Sequence, residues 1–299
     1  MKTYLFKITI GIILFIVLVS CKKDDSSTST EIELTGPYLG QEPPGTSPKV
    51  FAPGFISMSS TSEYACTFSP NGDEFYFTRA TSTSQRIYVS RLINNVWTVP
   101  QPTDFSNEYN SHEPHLMFDN QTIYFGWFRS VPSGEVSYVG NYGIWASDRT
   151  ESGWSAARYV GQGMFVSSTS DGQLFVTDIS VPNTAYLSKV TITNGRFTNL
   201  EHLSGGMETI RTTFGSTAHP CIAPDGSYIV YDTGNQPLFV SFKQNNGTWG
   251  SAIYLSQHGI SSKANIASIS PDGKYLFFAD AGDIYWVSTD LIKNLNIKK

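Results

Sequence analysis

The sequence predicts an all-β fold, a five-bladed β-propeller of four-stranded antiparallel blades, its last blade closed by the N-terminal strand. Three observations carry that prediction. A turn signature recurs at Asn71, Asp119, Asp171, Asp225 and Asp272, at intervals of 48, 52, 54 and 47 residues, a period that suits propeller blades. A β-rich run follows each turn: EFYFT, TIYFG, QLFVT, SYIVY and KYLFF. An aromatic–aliphatic–serine triplet then keeps step, as Tyr88-Val89-Ser90, Trp145-Ala146-Ser147, Tyr186-Leu187-Ser188, Phe239-Val240-Ser241 and Trp286-Val287-Ser288.

Each unit reads as four strands, a to d from the inside outward. The Asp-Gly or Asn-Gly pair suits the hairpin between a and b, because such turns need positive φ and Gly or Asn tolerates it. The triplet lies on strand c, and its aromatic residue is expected to fill the wedge between neighbouring blades. Trp97, Trp154, Phe197 and Trp249 open strand d in the first four units. One four-stranded sheet leaves two apolar faces open, and radial stacking buries them against each other. The fifth unit stops after its triplet. KVFAPGFIS (49–57) resembles AIYLSQHGIS (252–261), with Gly54 against Gly259, so the first strand of the domain should supply the missing outer strand.

At the level of these repeats the chain resembles the TolB-like, WD-repeat-related propeller family, whose units carry a Ser-Pro-Asp-Gly hairpin. The best matches are Ser270-Pro271-Asp272-Gly273 and Ala223-Pro224-Asp225-Gly226, with Ser69-Pro70-Asn71-Gly72 close behind. The resemblance covers nearly all of 49–299. It is specific for fold and weak for function, since propellers host unrelated activities.

The start of the chain speaks to location. Residues 1–20 read as a lipoprotein signal peptide: MKTYLFK supplies two positive charges ahead of the uncharged apolar run ITIGIILFIVLVS. That run is shorter than the roughly 20 residues of a spanning helix. Leu18-Val19-Ser20-Cys21 resembles a bacterial lipobox, which implies acylation of Cys21, palmitate included, as the link to outer-membrane lipid. Lys22-Lys23-Asp24-Asp25 resembles the signal that sends lipoproteins of the Bacteroidota to the cell surface. Residues 21–48, rich in Ser, Thr, Gly and Pro, read as a flexible tether without packed structure, with a reach of about 30 Å.

Composition excludes some classes. Charged residues make up 15% and aromatics 14%, with a formal charge of -5. An acidic chain without a basic stripe argues against nucleic acid and against a polybasic membrane contact beside the lipid. With Cys21 lipidated, Cys66 and Cys221 remain, and buried free thiols are favoured over a disulfide.

Propeller geometry gathers the starts of strands a and the ends of strands b around one mouth of the channel. Those positions supply Glu113, His115, His219, Arg79, Trp127, Asp178, Asp232 and Asp280. The longest b–c loop, 127–143, adds Phe128, Arg129, Tyr138 and Tyr142, and the approach to unit four adds Arg211. Aromatic rings stack on sugars or side chains, and Arg binds carboxylates bidentately. Asp178, Asp232 and Asp280 share a register and are expected to cap turns. His115 and His219, in the motifs EPH and AHP, are offset by two and read as inner-strand polar groups. His112 reads as loop, and His202 and His258 as outer-strand neighbours. The candidate ligand-binding set is Arg79, Glu113, His115, Trp127, Arg129, Arg211, His219 and Asp232.

Three functions compete. A non-catalytic propeller binding a glycan, peptide or protein partner needs only a rigid ring and a decorated mouth, and calls for no cofactor or metal. A glycosidase needs two carboxylates about 5 to 9.5 Å apart, and a metal-dependent lyase needs converging histidines, for which His115 and His219 are candidates. An envelope assembly role is what the TolB resemblance implies. The sequence favours binding.

Overall fold

Five short hairpins and the edges they leave open account for the whole architecture. The computed structural model describes residues 33–106, 110–135 and 140–297. Cys21, the signal peptide, Lys22 to Asp25 and Tyr138 lie outside the described residues. Five antiparallel sheets follow one another in chain order. Their inner strands a are Ser62–Phe68, Ser111–Leu116, Met164–Ser168, Ala218–Ile222 and Asn265–Ile269. Strands b and c pair outward from them, and strand d of blades one and two is broken into two short pieces. At the a–b hairpins Gly72, Gly172, Gly226 and Gly273 have φ of 75°, 91°, 71° and 69°, and Asn120 takes the same role at 58°.

The ring closes as the sequence predicts. Lys49–Val50 pairs antiparallel with strand c of blade five, Lys49 opposite Trp286 and Val50 opposite Tyr285, and Phe51 N–H donates to the Ile284 carbonyl at 2.8 Å. Gly54 and Gly259 both adopt left-handed φ, 78° and 94°, as their matched positions require.

The apolar residues form five clusters, one between each pair of neighbouring blades. Blades five and one meet through Phe51, Phe68, Phe75, Phe277 and Trp286. Blades four and five are further covered by α2 (Asp290–Ile297), which buries Leu291, Ile292 and Leu295. Four of the five triplet aromatics pack in these clusters. Tyr186 departs from the expectation: it stacks on His202 at 4.1 Å, with the Arg211 guanidinium 4.7 Å from its centroid.

The tether prediction needs correction at its far end. Leu34 accepts from Trp97 N–H at 2.8 Å, Gly36 accepts from Trp97 Nε1 at 2.7 Å, and Leu39 is fully buried. Tyr38 packs edge-on against Phe68 and Tyr275. Three apolar side chains in six residues, Leu34, Tyr38 and Leu39, offset the ordering cost and plaster this segment over the joint between blades five and one. Cys66 and Cys221 are buried free thiols, and burial pushes the Cys66 thiol up to about 12.

Candidate functional site: the mouth of the channel

Every inner strand carries the same irregularity. Its register with strand b slips by a bulge between Tyr64 and Cys66, His112 and His115, Met164 and Val166, Ala218 and Cys221, and Asn265 and Ser268. Within each slip one non-glycine residue has positive φ: Ala65 at 45°, Glu113 at 57°, Phe165 at 55°, His219 at 51° and Ile266 at 48°. Such a conformation costs on the order of 1–3 kcal/mol per residue, and a bulge re-aims its side chain. In three blades the strand-b residue opposite the slip ties its blade to the inner strand of the next. Thr78 Oγ1 accepts from Glu113 N–H and Thr177 Oγ1 from His219 N–H, each at 2.9 Å. Asp232 Oδ2 accepts from Ile266 N–H at 2.9 Å.

The five bulged residues form one ring, and the two polar members meet across it. His219 Nε2 lies 3.6 Å from Glu113 Oε1. On its other side His219 Nδ1 donates to Asp232 at 2.8 and 2.9 Å. Asp232 also accepts from Gly234 N–H at 2.7 Å, so its expected turn cap and its ion pair coexist. Burial by itself would depress the imidazole, but the charge and hydrogen bond of Asp232, with the charge of Glu113, outweigh it and raise His219 to about 9.

A second set of groups approaches Glu113 from blade two. Tyr142 Oη stands 3.5 Å from Glu113 Oε2, and His112 Nε2 stands 3.8 Å from it. A side-chain chain fixes the His112 tautomer. Tyr64 Oη donates to Gln85 Oε1 at 2.6 Å, so Gln85 Nε2 donates to His112 Nδ1 at 2.9 Å, which leaves the His112 proton on Nε2, facing Glu113. Burial holds the His112 ring below its ordinary value, against the pull of Glu113. Phe128, 47% exposed, tops the stack on Tyr142 at 4.6 Å and His112 at 5.4 Å. Gly126 is the space that admits them: a Cβ there would sit 2.3 Å from Tyr142 Oη.

Below this ring the channel narrows to a cavity of about 30 Å³ lined by all five inner strands, His115 and both free cysteines among them, room for only one or two waters. The channel itself therefore has no room for a sugar or a side chain.

The predicted residues divide accordingly. Glu113, His219 and Asp232 come together. His115 does not join them: it lies in the channel, Nε2 2.8 Å from Ser168 Oγ, where burial drops it to about 4. Its place on the strand is the reason, since Glu113 and His219 each stand six residues before their turn and His115 only four. Arg79 is committed to Glu63 at 2.7 Å and to the Ile56 carbonyl at 2.8 Å. Trp127 is buried core beneath Arg129, whose guanidinium lies 4.7 Å from its ring. Arg211, on α1 (Gly206–Phe214), lies over Tyr186. His112, expected in a loop, is on strand a. The shared register of Asp178, Asp232 and Asp280 also fails: opposite the bulge Thr177 is the counterpart of Asp232, while Asp178 binds His202 at 2.8 Å and Ser180 N–H at 2.8 Å. Among the described residues no group of three or more His, Cys, Asp or Glu side chains is arranged to hold a metal ion.

Fold and mouth together define a five-bladed propeller with a narrowed channel and a charged, aromatic-rimmed opening. No family model matches the sequence, and no curated protein matches it. Among solved structures it is similar to TolB from Acinetobacter baumannii, at 15% identity and TM-score 0.47 over 76% of this chain and 54% of that one. The chain thus spans about half the length of that TolB. It is also similar to a protein of unknown function from Dyadobacter fermentans, at 11% identity and TM-score 0.49 over 83% of each chain. A thermostable family-43 glycoside hydrolase matches at 13% identity and TM-score 0.47, over 78% of this chain and 90% of that one.

Proposed function

We propose that this chain is an outer-membrane lipoprotein, anchored through Cys21 and facing the exterior, whose propeller binds a glycan at the channel mouth without catalysis. The observation that carries the reading is the internal commitment of Asp232. Its two oxygens take His219, Gly234 N–H and Ile266 N–H, and its side chain is wholly inaccessible. Glu113 then stands beside the aromatic shelf of Phe128 and Tyr142. One carboxylate and a stacking ring suit recognition of a hydroxyl-rich ring, whereas glycoside cleavage needs two free carboxylates.

Calorimetric titration of the purified protein with an oligosaccharide panel tests this reading, with product analysis of the same mixtures. The reading expects saturable binding, no cleavage, and a loss of about tenfold in affinity for Phe128→Ala. Turnover of any bound glycan would move the protein to the enzyme class. Localisation is tested separately. Cys21→Ala should abolish incorporation of labelled palmitate, and neutral replacement of Lys22 to Asp25 should protect the protein from protease added to intact cells. Unchanged shaving would remove the basis for surface export.

A further inference from the structure

Glu113 is an incompletely satisfied anion. It is 5% exposed, yet among the described residues the nearest donor to Oε1 is His219 Nε2 at 3.6 Å. The three donors converging on the carboxylate stand off at 3.5 Å for Tyr142, 3.6 Å for His219 and 3.8 Å for His112. Hydrogen bonds to carboxylates close to about 2.7–3.2 Å, so the donors frame Glu113 without saturating it. The charge balance points the same way. Both ring nitrogens of His219 face carboxylates, so the ring is an imidazolium between Asp232 and Glu113. Two negative charges and one positive leave a net single negative charge in a buried site, where an unmatched charge is costly. Arg79, the cation at the end of strand b in blade one, is already held by Glu63 at 2.7 Å. Around the opening stand ring faces: Phe128 over Tyr142 at 4.6 Å, and Phe165 edge-on to His219 at 5.4 Å. Aromatic faces beside an anion favour an organic cation over a hydrated one.

We propose that the mouth selects a primary ammonium group on its ligand, with Glu113 as the counter-ion. The inference rests on the mouth being a binding site, and it adds the charge of what is bound. The ammonium displaces water from the opening and donates to Glu113 Oε1, while the aromatic rim covers the carbon to which it is attached. The same chemistry is carried by an amino sugar and by a lysine side chain.

Calorimetry on the purified full-length chain at neutral pH tests the assignment with matched pairs of probes. Glucosamine is compared with N-acetylglucosamine and glucose, and Nα-acetyl-lysine amide with its Nζ-acetylated form. In the wild type the amine of at least one pair should bind about tenfold or more tighter than its neutral partner. Glu113→Gln, which keeps the side chain's shape, should collapse that ratio towards one. Discrimination confined to the sugar pair assigns an amino sugar, and discrimination confined to the lysine pair assigns a peptide amine and removes the glycan reading. Equal affinities within both pairs, a preference that survives Glu113→Gln, or no binding of either amine overturns the proposal. Neutral sugars that bind while amines gain nothing would overturn it and leave the glycan reading standing.

Discussion

Glu113 and His219 belong to blades two and four, and their side chains meet across the channel with Oε1 3.6 Å from Nε2. Neither is brought there by a long loop. Each is the one positive-φ residue of its inner strand, and the fivefold arrangement of the bulges aims both at the axis.

The His219 bridge makes stability depend on pH. Its folded value is raised to about 9, against about 6.5 in an unfolded chain. Between those values the folded state binds more protons, so the bridge's contribution is complete below about pH 6.5, declines as pH rises, and is lost above about pH 9. Its size is on the order of 3 kcal/mol. Urea denaturation from pH 6 to pH 10 should show that decline in the wild type and a markedly flatter profile in His219→Gln.

Gly126→Ala tests the framing of Glu113. The added Cβ would stand 2.3 Å from Tyr142 Oη and 3.1 Å from His112 Nε2, so both rings must shift from the carboxylate. Overpacking of this kind costs about 1–3 kcal/mol. Ligand affinity measured by calorimetry should fall by about tenfold or more while the melting transition stays cooperative.

Closure of the ring is tested at Phe51 and Leu39. Both are fully buried over the joint between blades five and one. Phe51→Ala should cost about 3–5 kcal/mol and Leu39→Ala about 2–5 kcal/mol in chemical denaturation. A small effect at Leu39 would mean that residues 34–40 dock without stabilising the propeller.

Arg79 is held by Glu63 and the Ile56 carbonyl and gives a control for the mouth. Glu63 is inaccessible to solvent and accepts from Arg79 Nε at 2.7 Å, from Met58 N–H at 3.0 Å and from Thr61 Oγ1 at 2.5 Å. Arg79→Met strands that buried carboxylate, at a cost of about 3–5 kcal/mol. Thermal unfolding should register the loss, and mouth affinity at a temperature where the variant is folded should not change.

The repeat was legible because every blade solves the same burial problem with the same residues. The turn at Asp272-Gly273 and the triplet Trp286-Val287-Ser288 are instances of a pattern written five times. Closure by Lys49–Val50 was legible for the related reason that the fifth unit lacks an outer strand. The site was legible only in part. Glu113 and His219 stood out as polar residues of strand a and Asp232 as the end of a strand b, and counting from the turns sets Glu113 and His219 at one register, six residues before Asp119 and Asp225, with His115 offset by two. Ala65, Glu113, Phe165, His219 and Ile266 each stand six residues before the turn residue of their unit, but their side chains have nothing in common that would mark the bulge and its positive φ. Gln85, Thr78 and Thr177 carried no signal, since a polar residue on a strand is ordinary. Gly126 did carry one, as a lone glycine inside TIYFGWF marks a close approach. The docking of Leu34 to Leu39 was hidden by the Ser, Gly and Pro around it.

The most direct measurement is the imidazole ¹H–¹⁵N spectrum of His219 at pH 7, recorded with and without a bound ligand and assigned through His219→Gln. The account predicts an imidazolium with protons on both ring nitrogens, whose Nε2 resonance moves when the mouth is filled, together with that of His112. A neutral His219 ring, or a ligand that binds and leaves both resonances in place, would contradict it.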